Sequence, residues 1–141
     1  MLCNINQKSQ GLLQEIRADG CLFLCFAYVS PLIFYGTEGI CALNVMWKKA
    51  VNLKYINADN EIVDHNGILD LFCIEAKYDG KHHKAEESIP AGVKFLFGKF
   101  VWKFGHFGVI SKSKEVIFDP LVISNSVKNG KLESMRFYYA N

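Results

Sequence analysis

From Cys21 to Tyr35 the chain is almost wholly apolar, and this run narrows the possible folds more than any other stretch. Such a run either enters a membrane or fills a core. A spanning helix needs about 20 apolar residues; this run is shorter and is broken by Ser30-Pro31, where proline cannot continue a helix. A signal peptide is also a poor fit. The residues before the run carry Lys8, Glu15, Arg17 and Asp19, and no small-residue cleavage site follows it. The sequence therefore predicts no membrane span and a cytoplasmic location. A helix over Cys21 to Val29 is apolar on every side, so its place is the centre of a core.

The rest of the chain can surround such a helix. It has 141 residues, which predicts a single domain over 1–141. Half of the residues are apolar and 21% are charged, as in ordinary globular proteins and unlike disordered ones. The net charge is +2 and the lysines form only short clusters, which argues against nucleic acid as a partner. Cys3, Cys21, Cys25, Cys41 and Cys73 are odd in number and contain no C-x-x-C pair. Reduced thiols are expected, with no structural zinc site, no other metal and no cofactor. His82-His83 and His65 with Asp64 are weak metal candidates, because their ligand count falls short of a site.

The two halves of the chain differ in pattern. Gln10 to Arg17 reads as a short amphipathic segment, and Asp19-Gly20 as a turn into the apolar helix. Gly39 to Leu53 reads as a second helix, with Ile40, Leu43, Met46 and Trp47 on one side. A turn follows within Tyr55 to Ile62, then a third short helix over Asn66 to Cys73. Lys77 to Glu87 is the most polar stretch and reads as an exposed loop. Beyond it lie β-branched and aromatic runs over 93–101, 106–111, 115–118 and 134–139. The short polar connection Ser111 to Lys114 predicts an antiparallel hairpin. Helices first and sheet second is the α+β pattern.

Four residues could carry chemistry. Cys21 opens the buried helix, where free backbone N–H groups favour a thiolate nucleophile; Cys25, one turn later, reads as a core thiol. His106 stands between Gly105 and Gly108 in a strand-like segment, suited to a proton acceptor beside a thiol. Asp119 ends the strand that pairs with the His106 strand, so it can orient the imidazole. Gln14, seven residues before Cys21, is a candidate oxyanion donor, with Gln7 and Gln10 as competitors.

Three segments carry a resemblance: Asp19-Gly20-Cys21, Gly105-His106-Phe107-Gly108-Val109-Ile110 and Val116-Ile117-Phe118-Asp119-Pro120. Their order resembles the papain-like cysteine peptidases, and more closely the branch of bacterial double-glycine leader peptidases and related small phage proteins. The Gly-Cys-Leu-Phe-Leu-Cys segment is also similar to an uncharacterised family of small plasmid-borne spirochaete proteins. The papain-like resemblance implies N-terminal helices, with the nucleophile helix buried, packed on a C-terminal antiparallel sheet. It also implies a Cys21–His106–Asp119 triad acting on a peptide or peptidoglycan-like amide. Departures from the pattern are the greasy Leu22-Phe23-Leu24 turn after Cys21 and the Gln14–Cys21 spacing, which is close to that branch's but not the same as papain's. A non-catalytic domain that binds a protein partner is the alternative, to which an exposed aromatic C-terminus, Arg136 to Tyr139, would contribute. The oligomeric state is not encoded in any pattern of the sequence.

Overall fold

A computed structural model describes all 141 residues, which pack as two compact units, Met1–Ile74 and Glu75–Asn141. The first unit is helical: α1 (Gln14–Asp19), α2 (Cys21–Val29), α3 (Gly36–Asn52) and α4 (His65–Leu71). A two-strand parallel ladder joins β1 (Leu2–Cys3) to β2 (Phe34–Tyr35).

The apolar run behaves as its composition demands. Phe23, Leu24, Cys25, Phe26 and Ala27 are consecutive and fully buried, so every side of α2 is covered. Burying each large side chain contributes about 1.5–3 kcal/mol. Phe23 packs edge-on against Trp47 of α3 and against Phe72, both at 5.1 Å between centroids. α2 stops at Ser30-Pro31, and Ser30 Oγ donates to the Phe72 carbonyl at 2.7 Å, tying this corner to the end of α4.

α3 begins three residues earlier than the apolar spacing suggests and buries Gly39, Leu43, Trp47 and Ala50. Gly39 is needed there for space: a Cβ would stand 2.7 Å from the Phe34 backbone. Asp64 caps α4 by accepting the Gly67 N–H at 2.9 Å. The expected turn between short extended pieces is present as an antiparallel bridge between Ile56 and Ile62.

The second unit is an antiparallel sheet of β3 (Lys77–Tyr78), β4 (His83–Lys84), β5 (Val93–Val101), β6 (Gly105–Ile110), β7 (Val116–Phe118) and β8 (Lys131–Tyr139), with α5 (Asn125–Asn129) before the last strand. The order is β3-β8-β5-β6-β7, and β4 also pairs with β8. Alternation puts Leu96, Phe100, Ile110, Met135 and Phe137 into one apolar cluster, against which Val127 of α5 packs. Phe95, Phe97 and Tyr138 form an aromatic group, with Phe95 stacked on Tyr138 at 4.9 Å. The architecture is α+β, with five helices and an antiparallel sheet. No helix is long and apolar enough to cross a membrane.

Three expectations need correction. The polar stretch 77–87 is not only a loop, because it supplies β3 and β4 to the edge of the sheet beside β8. Arg136, Phe137 and Tyr138 are buried in β8 rather than exposed. The strand containing them also begins three residues earlier than expected.

The 79–87 segment is fastened by one side chain. The His83 ring stacks on Phe137 at 3.9 Å, with Nε2 2.6 Å from Asp79 Oδ2 and Nδ1 3.1 Å from Glu87 Oε2. His83→Ala removes all three contacts. The expected outcome is a loss of about 1–2 kcal/mol and faster amide exchange confined to this segment. Unchanged exchange there would mean that pairing with β8 alone holds it.

Candidate functional site

β6 and β7 pair through Val109↔Phe118 and Ile110↔Val116, with a short connection between them. That register carries His106, near the start of β6, back beside Asp119, which follows the end of β7. Gly108 permits the approach, since a Cβ there would lie 3.0 Å from the Phe118 carbonyl oxygen. His106 Nε2 lies 2.7 Å from Asp119 Oδ1, and the two residues are only 6% and 8% exposed.

Asp119 is held by more than the imidazole. Its Oδ1 accepts the Leu121 N–H at 3.0 Å and its Oδ2 accepts the Ser124 N–H at 2.7 Å. Burial alone would push its pKa up. The hydrogen bonds from His106, Ser124 and Leu121 outweigh burial and bring it down to about 2. Asp119 is therefore a fixed anion facing His106 Nε2.

α5 buttresses the pair. Ser124 caps the helix by accepting the Val127 N–H at 3.1 Å, and Ser126 Oγ donates to the Phe104 carbonyl at 2.8 Å, close to the start of β6. These two serines were missed in the sequence; a Ser-Asn-Ser cap five residues after Asp119 was the available signal. Exposed apolar side chains flank the pair in sequence, Trp102 and Phe104 on one side and Val122 and Ile123 on the other. Phe104 is 80% exposed.

Cys21 lies in the helical unit, at the first position of α2 and half-buried. Its place is set by Gly20, which joins α1 to α2 without a linker. The Gly20 N–H donates to the Ile16 carbonyl at 2.8 Å, and its own carbonyl accepts the Leu24 N–H at 2.9 Å. Cys25 is fully buried within α2, and none of the five cysteines is in a disulfide.

The glutamines separate clearly. Gln14 is exposed on α1, where its Oε1 accepts from Arg17 Nη2 at 3.1 Å. Gln10 is exposed as well. Gln7 is buried: its Nε2 donates to the Ile16 and Arg17 carbonyls at 3.3 and 3.1 Å, beside the Gly20–Cys21 step. Its buried Oε1 has no hydrogen-bond partner. The structure thus brings His106 and Asp119 together in the sheet unit. It places Cys21 at a helix start in the other unit, with Gln7 rather than Gln14 as the buried amide next to that start. No group of three or more His, Cys, Asp or Glu side chains is arranged to hold a metal ion.

A protein-family model described as "Protein of unknown function, DUF261" matches residues 1–140. No curated protein and no solved structure matches the chain.

Proposed function

The chain belongs to the DUF261 family, whose description assigns no activity, and from the geometry of this member we propose a papain-like cysteine hydrolase acting on an amide bond of a peptide or peptidoglycan-like substrate. The observation that carries the reading is the buried 2.7 Å contact between His106 and Asp119. An aspartate fixed as an anion against one ring nitrogen is what a proton-shuttling imidazole requires.

In this reading Cys21 Sγ attacks the amide carbonyl carbon, and the His106 imidazole takes the thiol proton. The tetrahedral oxyanion collapses, the C–N bond breaks, and His106 returns the proton to the leaving amine. Water then adds to the thioester with His106 as base, releasing the acid and the thiol. Asp119 orients His106 throughout. The Cys21 backbone N–H is one oxyanion donor and the Gln14 amide is the candidate second, since Gln7 Nε2 is already committed to the Ile16 and Arg17 carbonyls. The absence of disulfides among five cysteines suits a reducing, cytoplasmic setting.

A second reading, a non-catalytic domain that binds a protein partner, is favoured by one observation, the exposed Trp102, Phe104, Val122 and Ile123. Iodoacetamide labelling read by mass spectrometry across about pH 5 to 9 separates the two, since thiolate character governs alkylation. The hydrolase reading expects Cys21 to react at the acidic end, ahead of the more exposed Cys41 and Cys73. It expects His106→Ala to slow Cys21 on the order of 100-fold, and Cys21→Ala to abolish hydrolysis with the fold intact. Silence of Cys21 while Cys41 and Cys73 react rejects the hydrolase and leaves the binding domain.

A further inference from the structure

A second polar cluster sits on the other face of the sheet. His106 pairs with Phe100 in the β5–β6 ladder, whereas the adjacent Phe107 pairs with Lys99, so their side chains leave opposite faces. On the Phe107 face, Lys99 of β5 lies opposite Ser134 of β8, and Ser134 lies opposite Lys84 of β4. Lys84, Ser134, Lys99 and Phe107 therefore form a row across four strands. Arg136, two residues beyond Ser134, stands in the next row opposite Phe97.

Arg136 is the unusual member. It is only 4% exposed, yet no carboxylate lies within ion-pair distance of its guanidinium. Nη1 donates to Ser134 Oγ at 2.9 Å and to the Met135 carbonyl at 3.4 Å, and the guanidinium carbon stands 5.3 Å from the Phe107 ring centroid. A buried cation with no counter-ion is costly to hold. The one acid in the cluster, Glu133, reaches Lys99 Nζ only at 3.9 Å, with both side chains at least a third exposed. Lys84, Lys99 and Arg136 against Glu133 leave two net positive charges. His82 faces the same field: its pKa is lowered first by burial and then by Arg136 and Lys99.

We propose that this face binds a phosphate group. Arg136 supplies the planar fork and Lys99 the ammonium. Ser134 Oγ already accepts from Arg136, so its own proton remains to be donated to the ligand. The two net charges match a phosphate dianion better than a single carboxylate. The site does not use Cys21, His106 or Asp119 and stands whether or not the hydrolase reading does.

The test titrates the full chain with inorganic phosphate, and separately with phenyl phosphate, against sodium chloride at matched ionic strength. The readout is the Arg136 Nε–Hε signal and the His82 ring signals by NMR. Saturable shifts of both are expected with phosphate, and His82 should titrate at a higher pH in its presence. Lys99→Gln, at a partly exposed position that does not threaten folding, should weaken binding about tenfold, as expected for one charge-assisted hydrogen bond. The exposed Lys128→Gln should bind as wild type does. Tighter binding of phenyl phosphate identifies a phosphorylated organic ligand, and equal binding identifies free phosphate. Shifts that do not saturate, that chloride reproduces, or that Lys99→Gln leaves unchanged overturn the proposal.

Discussion

Asp119→Ala is expected to lower stability by about 3–5 kcal/mol, the range for removing one partner of a buried charged pair. The cost follows from the number of groups left behind. The carboxylate accepts from His106 Nε2, Leu121 N and Ser124 N, and the pair is almost fully buried, so water cannot replace it. Each orphaned donor costs about 1–3 kcal/mol. In a chain of this size the midpoint of thermal unfolding should fall by more than about 10 °C. Asp119→Asn separates charge from shape. Its oxygen can keep the His106 and Leu121 bonds, but its NH₂ then faces the Ser124 N–H. About half of the alanine cost is expected, and equal losses for the two variants would show that the negative charge, not the hydrogen-bonding shape, is what matters.

The same residue predicts an acid limb. The pKa of Asp119 is about 2 in the folded chain against an ordinary 3.8. A lowered carboxylate pKa means that the folded state binds the proton less readily than the unfolded state does. Its contribution, about 2 kcal/mol, is fully present above the ordinary value and is lost as pH falls towards 2. Asp119→Asn cannot titrate, so the difference in stability between wild type and this variant should shrink over that window. Parallel curves from about pH 5 down to pH 2 would show that Asp119 is not the fixed anion described here.

What was legible in the sequence depended on how locally each element is determined. α2 was readable to the residue because Gly20 and Ser30-Pro31 bound a segment with no polar side to expose. β5 was readable because six of its nine residues are β-branched, aromatic or small and the run lies between turn signals. The His106–Asp119 pair was readable because the short Ser111–Lys114 connection fixes the hairpin register and leaves one way to bring the two ends together. β3 and β4 were not: two residues each, they exist because β8 offers an edge, and their own polar composition argues for a loop. α5 is likewise a five-residue helix held by bonds to a cap and to Asp119 rather than by any apolar period. The glutamines show the same limit. Spacing favours Gln14, with Gln7 and Gln10 as competitors, and only the three-dimensional closure of α1 decides that Gln7 is buried and Gln14 exposed. The C-terminal strand misled for a related reason. Arg136 among aromatics looks like a surface segment, but β8 is flanked on both sides by other strands, and Arg136, Phe137 and Tyr138 are all buried.

Gly20→Ala carries the second large effect. The backbone at Gly20, φ −90° and ψ 16°, is open to any residue, so the need for glycine is one of space. A Cβ would stand 2.5 Å from the Ile16 carbonyl oxygen and 2.8 Å from Ile16 Cα, and these are backbone atoms that cannot swing aside. The Ile16 carbonyl is also the acceptor for the Gly20 N–H and for Gln7 Nε2. Relieving the clash must therefore loosen the whole joint between α1 and α2. A loss of about 3 kcal/mol is expected, at the upper end of overpacking costs, and is read from the denaturant midpoint. The variant also bears on the chemistry, because Cys21 is the next residue. Under the hydrolase reading the alkylation rate of Cys21 should fall while that of the remote, exposed Cys73 stays constant. A change below about 0.5 kcal/mol, the size of an ordinary surface substitution, would mean that the joint is slack and that Gly20 does not set the position of Cys21.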